Sequence, residues 1–189
     1  MTWEVSRRAA MFGSAAGLVG AGITIRSTSV KARTPKLVII EESSIPESRQ
    51  FCEALMEGDH HAEIVRIDRS LNGLLDQLSD SSACFVGLTS DPAAMIASQL
   101  LLERGGQPHL EGKHHYTQGR WMHQTNGTSS LLERASNGWP TALAYHIRDL
   151  MDGSINDHTA ECRSGACNLA ASSPGALVSW AIQVEDHLS

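Results

Sequence analysis

Three short apolar runs, each followed by a segment of helical spacing, constrain the fold of this chain more than any other feature. Lys36–Glu41 (KLVIIE), Ala62–Ile67 (AEIVRI) and Ala83–Leu88 (ACFVGL) are rich in β-branched and apolar residues. Runs this short and this apolar read as strands buried on both faces. After the first, Pro46 opens a stretch with Phe51, Cys52, Leu55 and Met56 at helical spacing, closed by Gly58. After the second, Leu71, Leu74, Leu75 and Leu78 make a helical stripe. After the third, Ser90 or Asp91 caps a helix that takes Pro92 in its first turn and runs through Met95, Ile96, Leu100, Leu101 and Leu102 to the Gly105-Gly106 stop. This alternation predicts an α/β fold: a small three-layer, Rossmann-like or flavodoxin-like sheet, mostly parallel. Right-handed crossovers and short connections place strand 1 between strands 2 and 3.

The second half reads as less regular. His114–Thr117 and Arg120–Thr125 flank Gln118-Gly119 and suit a hairpin. Trp139-Pro140 precedes a helix with Leu143, Ile147, Leu150 and Met151 on one face. Residues 152–175 are rich in Gly, Ser, Asn and Asp and read as a long loop. Ala176–Val184 is expected to be a last strand, with a short helix as the alternative.

Ahead of all this stands Ser6-Arg7-Arg8, followed by an uncharged stretch from Ala9 to Ile25 built largely of Ala and Gly. A paired arginine before a moderately apolar run resembles the twin-arginine signal peptide of bacterial exported proteins. The run is less apolar than a membrane anchor of about 20 residues requires. Val30-Lys31-Ala32 carries small or apolar residues where a signal peptidase reads, so cleavage is expected after Ala32. The family usually has a large apolar residue two places after the second arginine, where this chain has Ala10; the general secretion route is therefore an alternative. The resemblance implies contact with an export machinery, a periplasmic location, no stable membrane span after cleavage, and a compartment in which cysteines can pair.

Residues 33–189 make one domain's worth of chain, long enough to bury a core without staples. The chain holds 15 basic and 21 acidic residues. The leader takes four of the first (Arg7, Arg8, Arg26, Lys31) and one of the second (Glu4), leaving a net charge of −9. That balance argues against nucleic acid and anionic membrane surfaces as partners.

In open α/β sheets, ligands bind outside the carboxyl ends of the strands. That rim holds Glu42 and Ser43 after strand 1 and Thr89, Ser90 and Asp91 after strand 3. Free N–H groups at the helix start near Ser90 offer a carboxylate or anion site, against the reading of ordinary turn and cap residues. No glycine-rich fingerprint, Walker loop or G-x-S-x-G elbow occurs. Among nine histidines, His109, His115 and His123 share the hairpin region; neutral imidazoles converging there suit a transition metal, against exposed polar strand residues. Adjacent histidines point to opposite faces of a strand, so only one of His114 and His115 serves any one site. Cys162 and Cys167, separated by four residues across a turn and preceded by His158, suit a disulfide, with zinc or copper ligation as the alternative. Cys52 and Cys84 sit on core-facing segments as small hydrophobes, or pair if the first helix packs over the third strand.

No cofactor is indicated and no reaction is specified by these residues. The readings are an exported α/β binding or accessory protein with a small ligand or protein partner, a metal-dependent enzyme or metallochaperone using the second-half His and Cys residues, and a structural subunit of an exported redox complex.

Overall fold

The computed structural model describes residues 36–57, 62–68, 70–71, 73–74, 78, 82–125, 131–132, 135, 138–152, 170 and 172–185. The leader, the 153–169 part of the long loop and the His158, Cys162 and Cys167 run lie outside the described residues, as do His60 and His61. The described residues belong to one compact unit, Thr34–Ser189.

All three predicted strands form. β1 (Lys36–Glu42), β2 (Glu63–Ile67) and β3 (Ala83–Thr89) pair in parallel, with β1 in the centre as expected from the connection rules. They are joined by α1 (Pro46–Met56) and by the Leu71–Leu78 region, where Leu74 and Leu78 are fully buried; α2 (Asp91–Glu103) follows β3. The remaining strands are β4 (Gln107–Thr117), β5 (Arg120–Thr125) and β6 (Ala176–Val184), with α3 (Trp139–Asp152) before β6. The six-stranded order is β2-β1-β3-β6-β4-β5.

The sheet is mixed rather than mostly parallel. β6 pairs antiparallel with both β3 and β4, and β5 antiparallel with β4. Two physical causes account for the difference. Gln118 and Gly119 both adopt positive φ (51° and 78°), as a type I′ hairpin turn requires, so β5 folds straight back on β4. β4, after its crossover through α2, leaves a slot beside β3, and the Ala176–Val184 run fills it in the opposite direction.

Side-chain alternation along the strands divides the core into two layers. One face carries Leu37, Ile39, Cys84, Val86, Leu88, Leu177 and Ala181, packed against Phe51 and Leu55 of α1 and Trp139, Leu143 and Ile147 of α3. The other carries Val38, Ile40, Phe85, Trp180 and Ile182 against Ala93, Ala97 and Leu101 of α2. Trp180 lies across Gly87, where a Cβ would sit 2.6 Å from the indole, and its Nε1 donates to Thr89 Oγ1 at 3.2 Å.

The described helix ends have identifiable chemistry; Gly58, the expected stop of α1, lies outside the described residues. α2 ends in a Schellman motif: Gly105 takes φ 79°, its N–H bonds the Leu102 carbonyl, and the Gly106 N–H bonds the Leu101 carbonyl. α1 has no basic residue in its last turn; Arg148 of α3 reaches over instead and donates through Nη2 to the Ala54 and Leu55 carbonyls at 2.7 and 2.8 Å. Among the described residues, no helix is long and apolar enough to cross a membrane.

Candidate functional site

At the carboxyl rim of the parallel strands, two of the five expected ligand-binding residues are turned inward. Glu42 is buried; its Oε2 accepts the Ser90 N–H at 2.8 Å and its own N–H donates to Ser48 Oγ at 2.9 Å. The carboxylate thus ties the end of β1 to the N-cap residue of α2 through one backbone N–H. Thr89 is fully buried and accepts from Trp180. Ser43 and Asp91 are exposed, and the Ser90 side chain makes no capping bond. Beside this rim, Glu41 faces Arg66 at 3.5 Å, and burial together with Glu41 pushes the Cys52 thiol up to about 12.

The three histidines expected to share a metal are separated. His115 is exposed on the solvent face of β4, opposite Met122. His123 is buried on the helix-covered face, where its partner is His114. His109 lies on a β-bulge between Pro108 and Leu110, away from both. Among the described residues, no group of three or more His, Cys, Asp or Glu side chains is disposed to hold a metal ion.

What the helix-covered face does hold is a buried polar chain across three strands. His114 Nδ1 and His123 Nδ1 lie 2.9 Å apart, and His114 Nε2 lies 2.9 Å from Ser179 Oγ on β6. Trp139, at the start of α3, stacks on His114 with ring centroids 4.5 Å apart and stands 4.9 Å from His123. Gly112 makes room: a Cβ there would meet Thr125 Cγ2 at 2.5 Å and Ser179 Oγ at 2.6 Å. Burial holds His114 down at about 3 and His123 at about 4, so both imidazoles are neutral near pH 7. With one proton between the two Nδ1 atoms, either tautomer satisfies the chain: Ser179 donates to His114, which donates to His123, or the whole sequence runs in reverse. Ser179 and His114 are fully buried, so this Ser–His pair meets no substrate and serves as internal structure.

Among the described residues, an open feature of the same face lies at the opposite end from the carboxyl rim. A cavity of about 260 Å³ is lined by Cys84, His109, Ile147, Leu150, Met151, Ala181 and Gln183. Its floor comes from the start of β3 and the end of β6, where Cys84 pairs with Gln183. The last turns of α3 supply Ile147, Leu150 and Met151. His109 reaches it because the bulge inserts an extra residue into β4, which re-aims a side chain that regular alternation would place elsewhere. His109 is exposed and marks the solvent side. Burial pushes the Cys84 thiol up to about 11, leaving it protonated and a poor nucleophile. Gln183 Nε2 donates one N–H to the Val184 carbonyl at 3.2 Å.

Of the residues singled out from the sequence, His109 and Cys84 therefore meet in a site, though in a role other than metal ligation or disulfide formation. Cys52 and Cys84 are both free thiols, and no disulfide forms among the described residues. Cys162 and Cys167 lie outside them. Gln183, Ala181 and Met151 escaped notice as site residues because each fits a strand or helix stripe without remainder. The one local signal was Pro108, which interrupts the β4 ladder and favours an irregularity next to His109. No protein-family model, curated protein or solved structure matches this chain.

Proposed function

We propose that this chain is an exported α/β binding protein whose ligand is a small molecule held in the cavity between α3 and the β3-β6-β4 strands. The cavity carries the reading: a concave, mostly apolar space with a few polar groups is the usual form of a small-molecule site. At about 260 Å³ it falls just below the range that holds drug-sized ligands, so its occupant is of fragment size. Export through residues 1–32 rests on the Arg7-Arg8 leader and its resemblance to twin-arginine signals. The β2-β1-β3 half is read as a flavodoxin-like half-sheet, and the site lies at the amino end of its β3 strand, against β6 and β4.

The site is tested by methyl NMR of the mature protein labelled at methionine. Met151 lines the cavity, whereas Met95 and Met122 are exposed on other elements and serve as internal controls. A library of neutral aromatic fragments is expected to move the Met151 signal saturably, and an Ala181→Phe variant that fills the cavity is expected to abolish the effect while keeping its far-UV spectrum. Fragments that leave Met151 unmoved, or move it equally in the filled variant, contradict the proposal.

A further inference from the structure

We infer that the cavity selects an uncharged molecule with an apolar body and one hydroxyl or N–H group, which bonds to His109 or Gln183. This inference rests on the binding reading above and specifies its ligand class.

The lining decides the class by what it offers. Ile147, Leu150, Met151 and Ala181 supply an apolar wall, which favours an apolar body. Among the described lining residues there is no Lys or Arg to neutralise a carboxylate or phosphate, and no Asp or Glu to neutralise an ammonium. A charged ligand finds no acidic, Lys or Arg side chain there to replace the water that it gives up on entering. The domain's net charge of −9 further opposes anions.

The polar groups present are suited to a single neutral partner. Gln183 offers Oε1 as an acceptor and keeps one N–H of Nε2, the other being engaged with the Val184 carbonyl. His109 has one ring nitrogen that accepts when neutral and one that donates. A hydroxyl or indole-type N–H on the ligand donates to either acceptor, while a purely apolar ligand leaves both without a partner on that side. The bulge is informative here: the register passes from Pro108 to Leu110, and the residue at that irregularity, His109, brings the imidazole to the cavity.

The test uses the full mature chain and four probes of similar size: p-cresol, toluene, benzoate and benzylamine. Each is titrated while Met151 is observed by methyl NMR, in the wild type, in His109→Leu and in Gln183→Leu. In the wild type, p-cresol and toluene are expected to bind and the two ions to bind at least tenfold more weakly than p-cresol. In His109→Leu, p-cresol is expected to weaken by roughly three- to tenfold, the scale of one net hydrogen bond, with toluene unchanged or tighter. Circular dichroism of the variant verifies that the exposed bulge position has not cost the fold. Benzoate or benzylamine binding as tightly as p-cresol overturns the ligand class while leaving the cavity reading intact. Equal weakening of p-cresol and toluene in His109→Leu also overturns it, since His109 then acts by shape alone, and so does p-cresol binding that is unchanged in both His109→Leu and Gln183→Leu. If none of the four probes moves Met151, the binding reading falls together with the inference.

Discussion

The Nδ1–Nδ1 contact between His114 and His123 holds only one proton, and this gives the domain an acid sensitivity with a definite sign. In the folded chain both imidazoles are held below their ordinary value of 6.5, at about 3 and about 4, chiefly by burial. Protons therefore bind the unfolded chain more readily. The stability that the pair contributes is fully present above pH 6.5 and is lost as pH falls from 6.5 toward 4, by about 1.4 kcal/mol per pH unit for each imidazole. Urea titrations at pH 7 and pH 5 are expected to show this loss, and His123→Leu is expected to remove about one proton from its slope; an unchanged slope in the variant contradicts the assignment. Gly112 is bound to the same chain. Gly112→Ala pushes a methyl group against Thr125 and Ser179 and is expected to destabilise by about 1–3 kcal/mol in the same measurement. Alternation along β4 told in advance that one of His114 and His115 would face any given site. Which of them faced inward was set by the pairing of His114 with Leu177 on β6, sixty residues away and invisible to local periodicity.

The elements themselves were more legible than their neighbours in space. KLVIIE, AEIVRI and ACFVGL announce strands because β-branched apolar runs have no other comfortable place, and Asp91-Pro92 to Gly105 announces a helix with both ends marked. The hairpin at Gln118-Gly119 was legible for the same reason, since turn chemistry is local. Strand order in the second half was not, because the Ala176–Val184 run has the composition to pair in either direction and only the slot between β3 and β4 decides. The helix-to-helix bond of Arg148 was equally hidden: on its own helix it reads as a solvated charge. Arg148→Met keeps the aliphatic stem and removes the charge-assisted bonds to Ala54 and Leu55, so it is expected to cost about 1.5–3 kcal/mol by chemical denaturation. A loss below ~0.5 kcal/mol would mean that the α1 terminus is satisfied by water.

For the molecule as a whole, the proposal is an export leader ahead of a mixed α/β domain whose described residues hold a cavity at the amino end of β3. The leader is tested by replacing Arg7 and Arg8 with Lys together: retention of the precursor in the cytoplasm is expected, whereas unimpaired export assigns the segment to general secretion. The cavity arises from three separate features, namely the β4 bulge, the small side chain of Ala181 and the end of α3. No one of these marks a site in the sequence, whereas the carboxyl rim is marked by its cap and turn residues; there Glu42 is buried and holds the Ser90 N–H. The most direct test of the binding site is a crystal structure of the mature protein soaked with p-cresol. The account predicts density for the ring between Met151 and Ala181 with its hydroxyl within hydrogen-bond distance of His109 or Gln183. A cavity filled by the side chains of Leu150 and Met151, with no density for the probe, would contradict it.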